Sequence, residues 1–306
     1  MAPPGNVTAP PFMGNLTLRQ TAHDYPAIDS QKLDVTGRDK VALVTGSGRG
    51  IGKEIALSFA KAGYHVAVTA RNATEVEETR SEIVKSCPDS MVIGVVADGC
   101  KHSDLEMLVQ QVNERLGKID VLVCNAGTNT FMPFTMTDPK DWWYSLEINL
   151  KSPTELTRLV LPQMRTRNSG TIIYTSSRAA VADLPWTTAY GAGKTGVTRF
   201  AGVLQVELDE MQKIEHPGTE NGISLFSIHP GEIETSLHTT GFPEKTRQEA
   251  PYIIEHMKEL DKKRPRFDIS LPAWTCVYLA SGRAAKLRGK YVDCTRDIEE
   301  AAALYA

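Results

Sequence analysis

"KVALVTGSGRGIG", residues 40–52, decides the fold. Its first half is a short, continuous apolar run, the pattern of a strand buried on both faces of a parallel sheet. Glycines follow at 46, 50 and 52, and Ile51, Ile55 and Phe59 then recur at helical spacing. A glycine-rich turn between a buried strand and an amphipathic helix lets backbone approach a pyrophosphate closely. The helix N-terminus behind it offers free N–H groups and the positive end of a dipole. Gly46, Ser47, Arg49, Gly50, Ile51 and Gly52 are therefore expected to cradle a dinucleotide. The spacing is Gly-x-x-x-Gly-x-Gly, not Gly-x-Gly-x-x-Gly.

The alternation continues outward from this stretch. Strands are expected at 65–70, 91–97, 119–124, 170–176, 222–228 and around "KYV" at 290–292. Between them lie helical patterns at 73–86, 103–116, 138–166, 188–212 and 268–281, the second of these opened by a capping box of Ser103 and Glu106. Strand alternating with helix implies an α/β, doubly wound parallel sheet of Rossmann type, about seven strands with helices on both faces. No linker divides residues 39–306, which read as one domain. Residues 1–38 carry four prolines in their first 11 positions and read as an irregular extension, on the surface or disordered. Two Asn-x-Thr sequons within it, at Asn6 and Asn15, read as coincidence.

Composition excludes several classes. A net charge of −3 gives no reason to expect nucleic acid or an acidic membrane as partner. No apolar run reaches the ~18 residues of a membrane span. The five cysteines are odd in number and widely spaced, so free thiols in a reducing, cytoplasmic setting are expected, with no metal site.

Doubly wound sheets bind ligands at the carboxyl ends of their strands. After the second strand stands Arg71, where NAD-dependent folds place an acid for the ribose 2′-hydroxyl. With Arg49 it would offer two guanidiniums to a 2′-phosphate, so NADP(H) is the expected cofactor. Asp98, after the third strand, could accept from the adenine amino group. The fourth strand is followed by Asn125, Ala126 and Gly127, the fifth by Ser176 and Ser177, and the sixth by "PGEIET" at 230–235. Tyr190 and Lys194 in "YGAGK" share a helix face. Taken alone, such a pair is weak evidence.

Together and in order, these motifs resemble the short-chain dehydrogenase/reductase family. The resemblance covers about residues 38–295. It rests on Thr45-Gly46…Gly50…Gly52, Asn125-Ala126-Gly127, Tyr190…Lys194 and Pro230-Gly231…Thr235. It selects Ser177, thirteen residues before the tyrosine, as the family's active-site serine, and Asn149 in "EINLKS" as its asparagine. It adds Pro230, Gly231, Ile233 and Thr235 to the expected cofactor site, and makes about 232–267 a mobile substrate lid. Cys124 stands where many members have asparagine. The extended N-terminus and "YVDCTRDIEE" resemble a fungal subgroup.

The chemistry implied is NADPH-dependent reduction of a ketone or aldehyde, or its reverse. The hydride comes from the cofactor and the proton from the protein. A free tyrosine has a pKa of ~10, and lowering it by about three units takes about 4 kcal/mol. One ammonium at about 4 Å in an effective dielectric near 20 supplies about that much, so Lys194 is expected to tune Tyr190 downward. Ser177 would hydrogen-bond the substrate oxygen, and Asn149 would hold a water linking Lys194 to solvent. Phe131, Met132, Phe134, Trp186 and His238 suggest a small apolar or aromatic carbonyl or alcohol as substrate. The helices at 138–166 and 188–212 are expected to pair subunits as a homodimer or homotetramer, with Trp142 and Trp143 serving helix packing or a subunit contact. A non-redox catalyst on the same fold, such as an isomerase, dehydratase or cyclase, or an NADPH-sensing scaffold, is the competing reading.

Overall fold

The computed structural model describes residues 18–22, 25–29, 37–235, 242–263 and 266–305. The sequons, His238 and parts of the extension and lid lie outside them.

Seven strands form one parallel sheet: β1 Val41–Thr45, β2 His65–Ala70, β3 Val92–Val96, β4 Ile119–Cys124, β5 Gly170–Thr175, β6 Ile223–His229 and β7 Tyr291–Asp293. Their spatial order is β3-β2-β1-β4-β5-β6-β7. The chain runs from β1 through β2 to one edge, then returns to place β4 on the other side of β1. The cleft at that reversal is where a doubly wound sheet binds its ligands.

All five residues of β1 are buried, because alternate side chains feed two cores. Ala42 and Val44 pack with Ile55 and Phe59 of α1 (Gly50–Lys61) and with Val277 of α9 (Ser270–Ala280). Val41 and Leu43 face Leu108 and Val112 of α3 (His102–Arg115) on the other side. Fully burying a Val, Leu or Ile side chain contributes about 1.5–3 kcal/mol. Ten helices surround the sheet among the described residues. The others are α2 (Ala73–Ser86), α4 (Pro139–Leu146), α5 (Ser152–Arg167), α6 (Thr188–Glu215), α7 (Glu244–Glu249), α8 (Pro251–Lys263) and α10 (Ile298–Ala303). None of the described helices is long and apolar enough to cross a membrane.

Three local expectations change. The helix expected over 138–166 is two helices joined by a π turn, Glu147–Lys151, and such bulges cluster at functional sites. The capping box does not form. Lys101 is the N-cap of α3, with no side-chain cap bond. Lys101 N already turns back to Asp98 O at 2.9 Å, starting the helix before Ser103. The described part of the N-terminal extension is irregular but docked. Ile28 is fully buried, Thr21 N donates to Thr295 O at 2.8 Å, and Arg19 pairs with Asp297.

Candidate active site

A cavity of about 880 Å³ opens at the carboxyl ends of β1, β2, β4, β5 and β6. Its floor is two turns pressed together. Gly46 has φ +63°, and a Cβ there would lie 2.8 Å from Ala126 Cα. A Cβ on Gly52 would lie 2.3 Å from Gly46 O and 2.4 Å from Asn125 Nδ2. Only hydrogen fits at either position. Thr45 Oγ1 accepts from the backbone N–H groups of Asn125 at 3.0 Å and Ala126 at 3.1 Å. Asn125 Nδ2 donates to Thr45 O at 3.1 Å, so this side chain braces β1 against β4.

Gly46, Arg49, Gly50, Ile51 and Gly52 line the cavity, as do Asn125, Ala126 and Gly127. Ser47 does not. Its hydroxyl donates to Val44 O at 2.6 Å and accepts from Thr69 N at 2.9 Å, pinning the loop to β2 from within the core. Asp98 is also off the wall, which Ala97 and Gly99 form instead. Its carboxylate accepts from Cys100 N at 3.1 Å.

Arg49 and Arg71 both reach the rim, each already engaged. Arg49 Nη1 lies 3.0 Å from Glu75 Oε1, and Arg71 Nη1 donates to the Tyr144 hydroxyl. Glu75 and Tyr144 are residues that sequence reading missed. They sit inside α2 and α4, with nothing local to mark them as cavity groups.

Four side chains meet where the α6 N-terminus approaches the sheet. Ser177, Tyr190 and Lys194 line the cavity, and Asn149 lies behind it on the π turn, 1% exposed. The small residues of "YGAGK" make this approach possible, since a Cβ on Gly193 would fall 2.9 Å from Asn149 Cβ. The Ser177 hydroxyl accepts from Ala179 N at 3.1 Å and favours ionisation of the Tyr190 phenol. Lys194 Nζ donates to Thr175 O at 2.6 Å. Asn149 Nδ2 donates to Thr128 O at 2.7 Å and Ser145 O at 2.8 Å. Its Oδ1 is buried without a hydrogen-bond partner among the described residues. A Cβ on Gly127 would lie 3.0 Å from that oxygen and 3.3 Å from Lys194 Nζ, so the two groups converge there.

The electrostatics correct one expectation. Burial pushes the Tyr190 phenol up to about 12, opposed by the Ser177 hydroxyl and assisted by the Glu232 carboxylate. Lys194 does not lower it in this geometry, because the ammonium lies 5.5 Å from the ring centroid and points to Thr175 O. Burial in turn pulls Lys194 down to about 8, with Cys124 acting the other way.

Pro230, Gly231, Ile233 and Thr235 complete the cavity beyond β6. On the substrate side Phe131 lines it, packed against Phe242 with ring centroids 5.2 Å apart. Met132, Phe134 and Trp186 do not line it. Met132 is buried, Phe134 is 64% exposed, and Trp186 stacks edge-on with His256 of α8 at 5.2 Å. Leu184, Pro185, Met257, Arg178 and Glu232 line this end instead. The glycine-only floor fits a dinucleotide, whose pyrophosphate needs close approach of the backbone.

Comparisons with known proteins agree with this arrangement. The family model described as short chain dehydrogenase matches residues 40–246. A short chain dehydrogenase of Pseudocercospora fijiensis is 32% identical over 282 residues, covering 90% of this chain and 86% of the relative. One of Monascus purpureus is 30% identical, covering 95% and 92%. Human dehydrogenase/reductase SDR family member 4 is 32% identical, covering 69% and 72%. Among solved structures, L-sorbose reductase from Gluconobacter frateurii, complexed with NADPH and L-sorbose, superposes with TM-score 0.72 at 27% identity, covering 85% of this chain and 97% of that one. Levodione reductase shares the fold, with TM-score 0.72 at 23% identity, covering 87% and 99%. Motifs in order, a site assembled as they require and relatives matched along most of their length lead to one conclusion: this chain belongs to the short-chain dehydrogenase family.

Proposed function

We propose that the protein is an NADP(H)-dependent oxidoreductase that interconverts a ketone or aldehyde and its alcohol. The observation that carries this reading is the Ser177–Tyr190–Lys194 cluster, with Lys194 buried and Asn149 behind it, in one cavity with the glycine turn. Gly46, Gly50, Gly52 and the Asn125–Gly127 turn would hold the dinucleotide, and the nicotinamide supplies or accepts the hydride when bound.

The residues of this chain handle the proton. With its phenol pushed up to about 12, Tyr190 keeps its proton at neutral pH, the form that donates to a developing alkoxide. Ser177, which lines the cavity beside Tyr190, would hydrogen-bond the same substrate oxygen as negative charge builds on it. To stabilise the phenolate left behind, the Lys194 ammonium, protonated below about 8, would turn from Thr175 O towards the phenol once cofactor and substrate fill the cavity. Asn149 Oδ1, converging with Lys194 Nζ at Gly127, is where a water would return the proton.

NADP(H) over NAD(H) is supported by Arg49 and Arg71 on the rim, with Arg71 standing where NAD-dependent folds place an acid. The NADPH complex of the sorbose reductase agrees. A small apolar or aromatic substrate is supported by Phe131, Phe242 and Met257 on the cavity wall. Association of two or four copies is supported by exposed apolar side chains on the expected helices: Trp143 at 63%, Val203 at 49% and Val206 at 61%. Five free cysteines suit a reducing, cytoplasmic setting. The direct test is NADPH oxidation, followed at the nicotinamide band, across a panel of ketones and aldehydes with product identification. Consumption of NADPH with formation of the alcohol is expected, and inertness on every carbonyl would defeat the proposal.

A further inference from the structure

The cavity has a second polar wall that the proton chemistry leaves unused. β6 and β7 are neighbours, and their register sets His229 beside Asp293. Register partners in a parallel pair project to the same face of the sheet. Both are buried, at 7% and 6% exposure. Asp293 Oδ1 is held by Thr295, which donates from its backbone N at 3.0 Å and its hydroxyl at 2.7 Å. The imidazole Nδ1 is sealed from solvent, with no hydrogen-bond partner among the described residues. Yet His229 lines the same cavity as Ser177 and Tyr190. The edge it presents to the cavity is therefore the one away from Nδ1.

Other charged groups frame this wall. Arg178 and Glu232 pair at 3.4 Å, both line the cavity, and both act electrostatically on His229, as Asp293 does. Glu232 also acts on Tyr190, and Glu232, His229 and Tyr190 line the one cavity. Arg178 and Glu232 largely cancel each other's charge. Burial holds the imidazole below its ordinary value, so it is uncharged at neutral pH. A neutral imidazole offers one donor and one acceptor, a match for an uncharged oxygen.

We propose that His229, set beside Asp293 at the end of β6, is a specificity-determining residue that hydrogen-bonds a second oxygen of the substrate, a hydroxyl or carbonyl set a few bonds from the reacting carbonyl. The preferred substrates are then hydroxyketones or dicarbonyls rather than plain hydrocarbon ketones. The inference rests on the carbonyl-reductase reading and narrows it. Asp293, its register partner, acts on His229 electrostatically.

The test compares cyclohexanone with 2-hydroxycyclohexanone, 1,2-cyclohexanedione and 1,4-cyclohexanedione. Wild type is expected to favour at least one oxygenated compound in kcat/KM by more than about tenfold, mainly through KM. His229→Leu should collapse that ratio by about tenfold or more, and His229→Gln, which keeps a donor and an acceptor, should restore part of it. Asp293→Asn should shrink the ratio less. A parallel arm measures Kd for the same compounds by calorimetry on the NADP(H)-loaded Tyr190→Phe protein, where turnover plays no part, with and without His229→Leu. No preference in wild type, or equal loss on all compounds in His229→Leu, overturns the inference. If no compound is turned over, the reductase reading fails, and the His229 inference is decided by the Kd ratios alone.

Discussion

The two ends of the cavity are built differently. The cofactor end is made of backbone, from residues that directly follow a strand. Thr45, Gly46, Asn125 and Ala126 interlock through main-chain atoms and one threonine hydroxyl. The substrate end is made of side chains from segments far apart. Thr246 of α7 donates to Phe131 O at 2.9 Å across 115 positions, and Phe242 and Met257 come from the same distal stretch. A backbone site is fixed by local sequence. A side-chain site is fixed by which loops meet, and loops tolerate change.

The contrast breaks first at Gly52. If the cofactor end depends on backbone approach, Gly52→Ala must displace Gly46 O or Asn125, because its Cβ would sit 2.3 Å and 2.4 Å from them. NADP(H) affinity should fall about a hundredfold or more by calorimetry, corresponding to about 2.7 kcal/mol. Unchanged affinity would mean that the loop is softer than its packing implies.

The pH profile gives the next largest effect. Lys194 is lowered to about 8, so its charge is complete well below that pH and lost as pH rises through it. Reduction, which needs the ammonium beside the nascent phenolate, should be flat near pH 6–7 and fall by up to about tenfold per unit above 8. Alcohol oxidation needs the phenolate and should rise with pH in the same range, since Tyr190 is raised to about 12. A reduction rate that climbs from pH 7 to 9 would contradict both assignments.

Smaller effects sharpen the rim. Arg71→Ala should weaken NADP(H) about tenfold with little change for NAD(H), the scale of one charge-assisted contact. Glu75→Gln should strengthen NADP(H) several-fold by releasing Arg49 from its 3.0 Å ion pair. Titration with both cofactors checks these, and tighter binding of NAD(H) by wild type would reverse the preference. Smallest in its effect on chemistry, light scattering at micromolar concentration should give a dimer or tetramer mass, and Val206→Asp should shift it towards monomer. A monomeric wild type would leave the exposed apolar faces of α4 and α6 unexplained.

The sheet was legible because strands buried on both faces read as apolar runs and glycine turns need glycine. Asn149 was legible as a residue but not as a place. Its π turn packs against α6 at Gly193, a contact between helices that no local pattern encodes. The placing of Ser47 off the cavity wall is not legible, because its neighbours line the cavity while its own hydroxyl turns inward to Thr69. Glu75 and His229 were invisible as cavity groups, one inside a polar helix and the other at the end of an apolar strand. The direction of the Tyr190 shift was missed because spacing along a helix does not report burial or where an ammonium points.

The central claim is that Tyr190 gives the proton. Tyr190→Phe removes one hydroxyl, so fold and NADPH affinity should stay within about threefold of wild type, measured by circular dichroism and calorimetry. Turnover on the best carbonyl substrate should fall by at least about 10²–10⁴-fold, the range of a positioned acid. A Tyr190→Phe protein that binds NADPH normally and keeps most of its reductase activity would contradict the account.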